Sequence, residues 1–164
     1  MIFKEFVRSV GIVAILACAA TTAGAQTRSE LRFADDLAAT AREARERRIP
    51  IMIAFTQASC PYCLTAKREY LIPMQNSIGL RDKVIIREID IDSGAELRDF
   101  EGQALTQDEF SKRYQVKRVP TVIVMDDKGK PLASPIVGLM AADFYGLYLE
   151  KAIEEGLYRM RRPN

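Results

Sequence analysis

The 164-residue sequence contains no histidine, no tryptophan and only three cysteines. Without histidine the chain cannot assemble Ser-His-Asp or Cys-His catalysis, a Cys₂His₂ or His₃ zinc site, or a histidine-ligated haem. Chemistry is left to cysteine, carboxylates, lysine, tyrosine and backbone groups. Charge of either sign is nearly absent in excess. Lys+Arg number 24 against 22 Asp+Glu, a net charge of +2. That balance gives no pull toward nucleic acid or acidic lipid. Hydrophobic residues at 48% and charged residues at 28% fit one globular domain.

Residues 1–25 have the pattern of a secretory signal. Lys4 and Arg8 form a basic front, an apolar stretch runs from Val10 to Ala20, and Ala23-Gly24-Ala25 precedes the expected cleavage site. The stretch is shorter than the roughly 20 strongly apolar residues of a membrane-spanning helix. Ile15-Leu16-Ala17-Cys18 offers an alternative, a lipidated Cys18, but the sequence fits a discarded peptide better. The domain is expected over 26–164, with a helical extension at 26–48 and a basic tail at 157–164. The exported chain then carries Cys60 and Cys63 as its whole cysteine content, and a periplasmic setting follows.

Apolar periodicity predicts a helix from Ser29 to Arg48, with Ser29 as its cap. The run Arg42–Arg48 is interrupted by Glu43 and Glu46 and reads as a solvated face. Ile51–Phe55 is a continuous apolar run, the mark of a buried strand. A helix opens at Pro61 and is expected to stop or kink at Pro73. Lys83–Ile89 forms a second strand, parallel to the first because a helix connects them. Asp90–Leu105 reads as a long loop, and Thr106–Glu109 as a capping box opening a short helix to Tyr114. Val119–Met125 and Leu132–Val137 form a hairpin about the turn Asp126–Gly129. A closing helix from Ala141 to Glu155 is expected to end at Gly156, before a frayed tail. The order is α-β-α-β-α-β-β-α, a central sheet with helices on both faces.

Ser59-Cys60-Pro61-Tyr62-Cys63 falls where a strand ends and a helix begins. Unpaired N–H groups and the helix dipole favour a thiolate there, which makes Cys60 the nucleophile. Cys63, three residues on, shares the same helix face and can attack a mixed disulfide. A disulfide closing so short a loop stabilises little, which argues against a purely structural bond. Zinc held by cysteine and histidine alone within one chain is excluded. Haem attachment needs a histidine where Leu64 stands. No cofactor and no metal are expected.

The strand before Cys60, the Cys60-Pro61-Tyr62-Cys63 motif and Val119-Pro120-Thr121 together resemble the thioredoxin superfamily. The likeness covers about Ile49 to Gly156. It implies a three-layer α/β fold, with a central mixed sheet of about four strands flanked by helices. It further implies a cis Pro120 opposite the dithiol, with Val119, Pro120 and Tyr62 contacting substrate. Ser59 stands where ordinary thioredoxins carry Trp, and Pro61-Tyr62 replaces Gly-Pro. Ala54 occupies the place of their buried Asp, leaving that role vacant or filled elsewhere; Glu69 and Lys67 on the motif helix are candidate substitutes, but charged helix residues usually face solvent and both read as solvated. With the export signal, the likeness extends to periplasmic proteins associated with sulfur oxidation or with cytochrome and thiol maintenance. The expected activity is thiol–disulfide exchange with a protein disulfide or thiol client, read as reduction of the disulfide, the reverse sequence oxidising a dithiol; a membrane electron donor and a monomeric chain are expected with it. The alternative is a dedicated, non-catalytic partner that regulates the thiol of one client.

Overall fold

Six consecutive buried residues, Ile51–Thr56, form β1, and the sheet is assembled around it. The computed structural model describes residues 28–139 and 142–162; the expected leader, with Cys18, lies outside them. Strand β2 (Ile85–Asp90) runs parallel to β1, with Ile51 opposite Ile85 and Ala54 opposite Glu88. The first connection is the helix that begins at Pro61, as a parallel crossover requires. Two short strands come next, β3 (Glu96–Arg98) and β4 (Ala104–Thr106), then β5 (Thr121–Met125) and β6 (Ile136–Val137). β5 lies antiparallel to β1 and β6 antiparallel to β5, giving a mixed four-stranded sheet in the order β2-β1-β5-β6.

Side chains alternate across the sheet, so its two faces meet different helices. On one face Phe55 stacks on Phe110 of α5 (Gln107–Arg113), ring centroids 6.3 Å apart. On the other, Val124, opposite Met52, meets the last helix α6 (Ala142–Arg161). The capping box that opens α5 is formed: Glu109 N–H donates to Thr106 Oγ1 at 3.2 Å and Thr106 N–H to Glu109 Oε2 at 2.9 Å.

Several sequence expectations are corrected. The first helix, α1, spans Leu37–Arg47 and is capped by Asp36, whose Oδ1 accepts from Ala39 N–H at 2.6 Å. Ser29 caps nothing. The chain before it is extended, Ala34 N–H donating to the Glu88 carbonyl and Glu88 N–H to the Arg32 carbonyl; β2 thus gains a partner that helical periodicity conceals. The expected loop 90–105 contains the β3–β4 hairpin. Its turn is organised by buried Asp99, which accepts from the N–H groups of Glu101 and Gln103 and pairs with Arg113 at 2.7 Å. The fourth strand is only Ile136–Val137, with Pro131 forming an isolated bridge to Met125.

The helix after the cysteines passes through Pro73. Proline offers no N–H and its ring crowds the carbonyl four residues back. The chain answers by widening: α2 (Pro61–Ala66) leads into a π turn at Lys67–Leu71, where Ile72 N–H reaches the Lys67 carbonyl, and α3 (Ile72–Asn76) follows. A short helix, α4 (Ile78–Arg81), completes this region.

Gly156 does not end α6, which continues to Arg161. A side chain here would put its Cβ 2.9 Å from Val124 Cγ1 and 3.1 Å from the Pro50 ring. The glycine therefore lets the helix approach the sheet. Gly156→Ala should lower stability by about 1–2 kcal/mol, because crowding outweighs alanine's roughly 1 kcal/mol helix preference. A fall in urea midpoint checks this; an unchanged or higher midpoint would show that the contact yields easily.

Candidate functional site

The cysteines lie where β1 hands the chain to α2. Cys60 is the N-cap residue of that helix, in extended conformation, and Pro61 fills the first helical position where its missing N–H costs little. The Cys63 N–H donates to Cys60 Sγ at 3.1 Å. The first sulfur thus takes the place of the oxygen that usually caps a helix, against a donor with no partner inside the helix. Both cysteines are free thiols, Cys60 partly exposed and Cys63 buried. The geometry separates them into an outer and an inner sulfur, which the spacing alone does not do.

Val119 and Pro120 come to the same place from the start of β5. The Cys60 thiol faces the Val119 carbonyl at 3.9 Å, and the Val119–Pro120 peptide is cis. Pro120 is buried. Tyr62 projects from the first turn of α2 and is 66% exposed, with Leu64 exposed beside it. All five residues singled out in the sequence therefore lie around one end of β1.

Beneath the dithiol is a feature not read from the sequence. Glu88 of β2 is only 3% exposed. Its Oε1 accepts from Thr56 Oγ1 at 2.6 Å and pairs with Lys67 Nζ at 2.8 Å. Lys67 lies one helical turn beyond Cys63, its backbone N–H bonded to the Cys63 carbonyl. The expectation of a solvated Lys67 is thus overturned, while Glu69 is exposed. The signal was a carboxylate inside an apolar strand; parallel register sets it beside Ala54, the position the resemblance marks as vacant. A cavity of about 350 Å³, walled by Leu31, Phe33, Leu64 and Ile72, reaches the Lys67–Glu88 pair from outside.

Burial pushes the Cys63 thiol up to about 12, with the Cys60 thiol adding to the rise; the Gln57 backbone and the Lys67 ammonium act in the opposite direction. Cys63 therefore waits as a neutral thiol near neutral pH. The rise also links it to stability. Between the unfolded value of 9.0 and about 12, the folded state holds a proton that the unfolded state has lost, so stability falls as pH rises through this window. Reduced protein should lose stability above pH 9 more steeply than Cys63→Ala, seen as a widening difference in urea midpoint. Parallel pH curves would refute the link.

Tyr145 is fully buried on α6, its ring edge-on to Tyr70 at 5.1 Å and its hydroxyl without a hydrogen-bond partner. Desolvation pushes this phenol up to about 12. Among the described residues no group of histidine, cysteine, aspartate and glutamate side chains could hold a metal ion.

The model of the thioredoxin-like domain family matches residues 37–153. No curated protein matches the sequence. Among solved structures, Arabidopsis thaliana thioredoxin O2 in the oxidised state aligns at 21% identity, covering 78% of this chain and 95% of that one, with a TM-score of 0.51. Fasciola hepatica thioredoxin aligns at 16% identity over 77% and 99%, TM-score 0.53. A poplar thioredoxin h mutant aligns at 17% over 83% and 92%, TM-score 0.55. At these identities the likeness is one of fold: an α/β sheet of four mixed strands flanked by helices.

Proposed function

Because the chain belongs to the thioredoxin-like domain family, we propose that it is a thiol–disulfide oxidoreductase that reduces protein disulfides outside the cytoplasm. The observation that carries this reading is the sulfur pair itself: an outer Cys60 capping a helix, 3.1 Å from the N–H of a buried Cys63.

The reaction follows from that geometry. The Cys60 thiolate attacks one sulfur of the client disulfide, forming a mixed disulfide and releasing the other client sulfur as a thiolate. Cys63 then loses its proton and attacks Cys60. The Cys60–Cys63 bond forms, the mixed bond breaks, and the second client sulfur leaves. The protons given up by the two cysteines balance those taken by the client thiolates. Two electrons pass to the client, and a dithiol donor must return them. Client backbone would lie along Val119, beside Pro120 and exposed Tyr62. The Lys67 ammonium favours the Cys63 thiolate in the second step, and Glu88 holds that ammonium in place.

Residues 1–25 support export, and with the β3–β4 insertion they favour the periplasmic thioredoxin-like proteins associated with sulfur oxidation or with cytochrome and thiol maintenance. A membrane protein would then supply the electrons, and the chain would act as a monomer. The test is reduction of insulin disulfides with dithiothreitol as electron donor. Catalytic turnover supports the oxidoreductase. A single client trapped by Cys63→Ser, with no insulin turnover, replaces it with the dedicated thiol-regulatory partner.

A further inference from the structure

A second polar site lies along the β2 side of the sheet, next to the stretch where 32–34 pairs with Glu88 and away from the sulfurs. β2 is the edge strand, and its residues Val84–Arg87 line a cavity of about 280 Å³. These residues sit beside the first half of β1, Ile85 opposite Ile51 and Arg87 opposite Ile53, whereas Cys60 follows the other end of that strand. Five arginines face the cavity: Arg28, Arg32, Arg47, Arg81 and Arg87. The acids on its wall are Glu43 and Asp82, and both are engaged by Arg47, at 2.5 and 3.7 Å. Arg28, Arg32, Arg81 and Arg87 have no carboxylate partner among the described residues.

Arg87 makes this arrangement costly. Its residue is 9% exposed, and the hydrogen bond its guanidinium makes goes to the adjacent Ile86 carbonyl, at 2.9 Å. A buried cation with no carboxylate bonded to it is unfavourable. Desolvation, and then repulsion from Arg32, pulls Arg87 down to about 10; Glu43 and Asp35 offset this only in part.

The flanking arginines are held in place by their backbone. Arg28 N–H donates to Asn76 Oδ1 and the Arg28 carbonyl accepts from Asn76 Nδ2, at 3.0 and 2.8 Å. Gln75 does the same one step along, accepting from Arg32 N–H at 3.1 Å and donating to the Glu30 carbonyl at 2.9 Å. Two amide side chains at the end of α3 thus clamp 28–32 against the cavity. The positive wall is assembled from separate parts of the chain rather than left as a loose surface cluster.

We infer that this cavity binds a small multivalent oxyanion, a diphosphate or di- or tricarboxylate, between the guanidinium groups of Arg32, Arg81 and Arg87. Planar guanidinium forks match such oxygens in pairs. The volume suits a molecule of that size and is too small for a folded partner. The experiment is calorimetric titration of the purified protein with pyrophosphate, and separately with citrate, at low and at physiological ionic strength. At least one should bind saturably at one site per chain, more weakly as salt rises. Arg32→Gln and Arg81→Gln should each weaken binding about tenfold or more, the scale of one charge-assisted contact, while insulin reduction stays unchanged. The exposed pair Lys117 and Arg118 is the control, and Lys117→Gln/Arg118→Gln should bind as the parent does. Absence of saturable binding by both anions overturns the inference. Equal losses in the control and in Arg32→Gln overturn it too, since they would show general attraction to positive charge. Arg32 and Arg81 are exposed, so the test does not depend on a buried variant that fails to fold.

Discussion

Cys60→Ser should abolish insulin reduction, by at least about a thousandfold, because a serine hydroxyl near neutral pH is a far weaker nucleophile than a thiolate and cannot form a disulfide. Cys63→Ser should lose turnover by a different route. Its Cys60 still sits at the mouth of α2, against the Val119 carbonyl, and still attacks. The mixed disulfide then persists because no inner sulfur remains to break it. The two variants thus separate the steps: one shows no covalent adduct, the other accumulates it as a reducible band on a non-reducing gel. The serine at 60 can keep the cap on Cys63 N–H, so both proteins should remain folded and a stability loss cannot explain the result. Trapping by Cys60→Ser but not by Cys63→Ser would reverse the assignment of the two sulfurs.

Lys67→Met should destabilise the fold by about 3–5 kcal/mol, the scale of a buried charge deprived of its partner. Glu88 would remain 97% covered with only the Thr56 hydroxyl to stabilise its carboxylate. The double variant Lys67→Met/Glu88→Leu should recover most of the loss, since removing both charges leaves an apolar site of similar volume. Exchange should not recover with stability. Without the ammonium one turn from Cys63, the inner thiol ionises less readily, and the mixed disulfide should live longer in the double variant than in the parent. Urea midpoints and the decay of a preformed mixed disulfide measure the two effects separately. A double variant restored in both would show that the pair serves folding alone.

The dithiol was legible in the sequence because it is isolated: beyond the expected leader Cys60 and Cys63 are the whole cysteine content, there is no histidine, and a strand-to-helix boundary surrounds them. Ile51–Phe55 was legible because a buried central strand is continuously apolar, and the strand ending at Ile89 because Val84–Ile86 and Ile89 are β-branched and apolar. What was missed depends on pairing across the sheet. Arg87 and Glu88 interrupt an otherwise apolar strand, and only the register with Ile53 and Ala54 shows that one meets an anion-poor edge and the other meets Lys67. The extended stretch before Asp36 carries Leu31 and Ala34, which with Leu37 of α1 keep a spacing that suits a helix, yet backbone bonds to β2 decide its conformation. Gly156 carries the signature of a helix end, and tertiary contact with Val124 and Pro50 turns it into a packing position. Each miss is a local preference overruled by a neighbour distant in sequence.

The π turn at Lys67–Leu71 acts as a phase shifter between two sites. One extra residue in a turn rotates everything after it by about 100° relative to an unbroken α-helix. Before the turn, the helix is phased so that Cys63 points inward; after it, Gln75 and Asn76 are phased to grip 28–32. The π turn stands between these two groups, with Pro73 just beyond it. A one-residue deletion within 68–71 would keep Cys60, Cys63 and Lys67 on the first part of the helix and swing the two amides off the arginine segment, so anion binding should fall while insulin reduction persists.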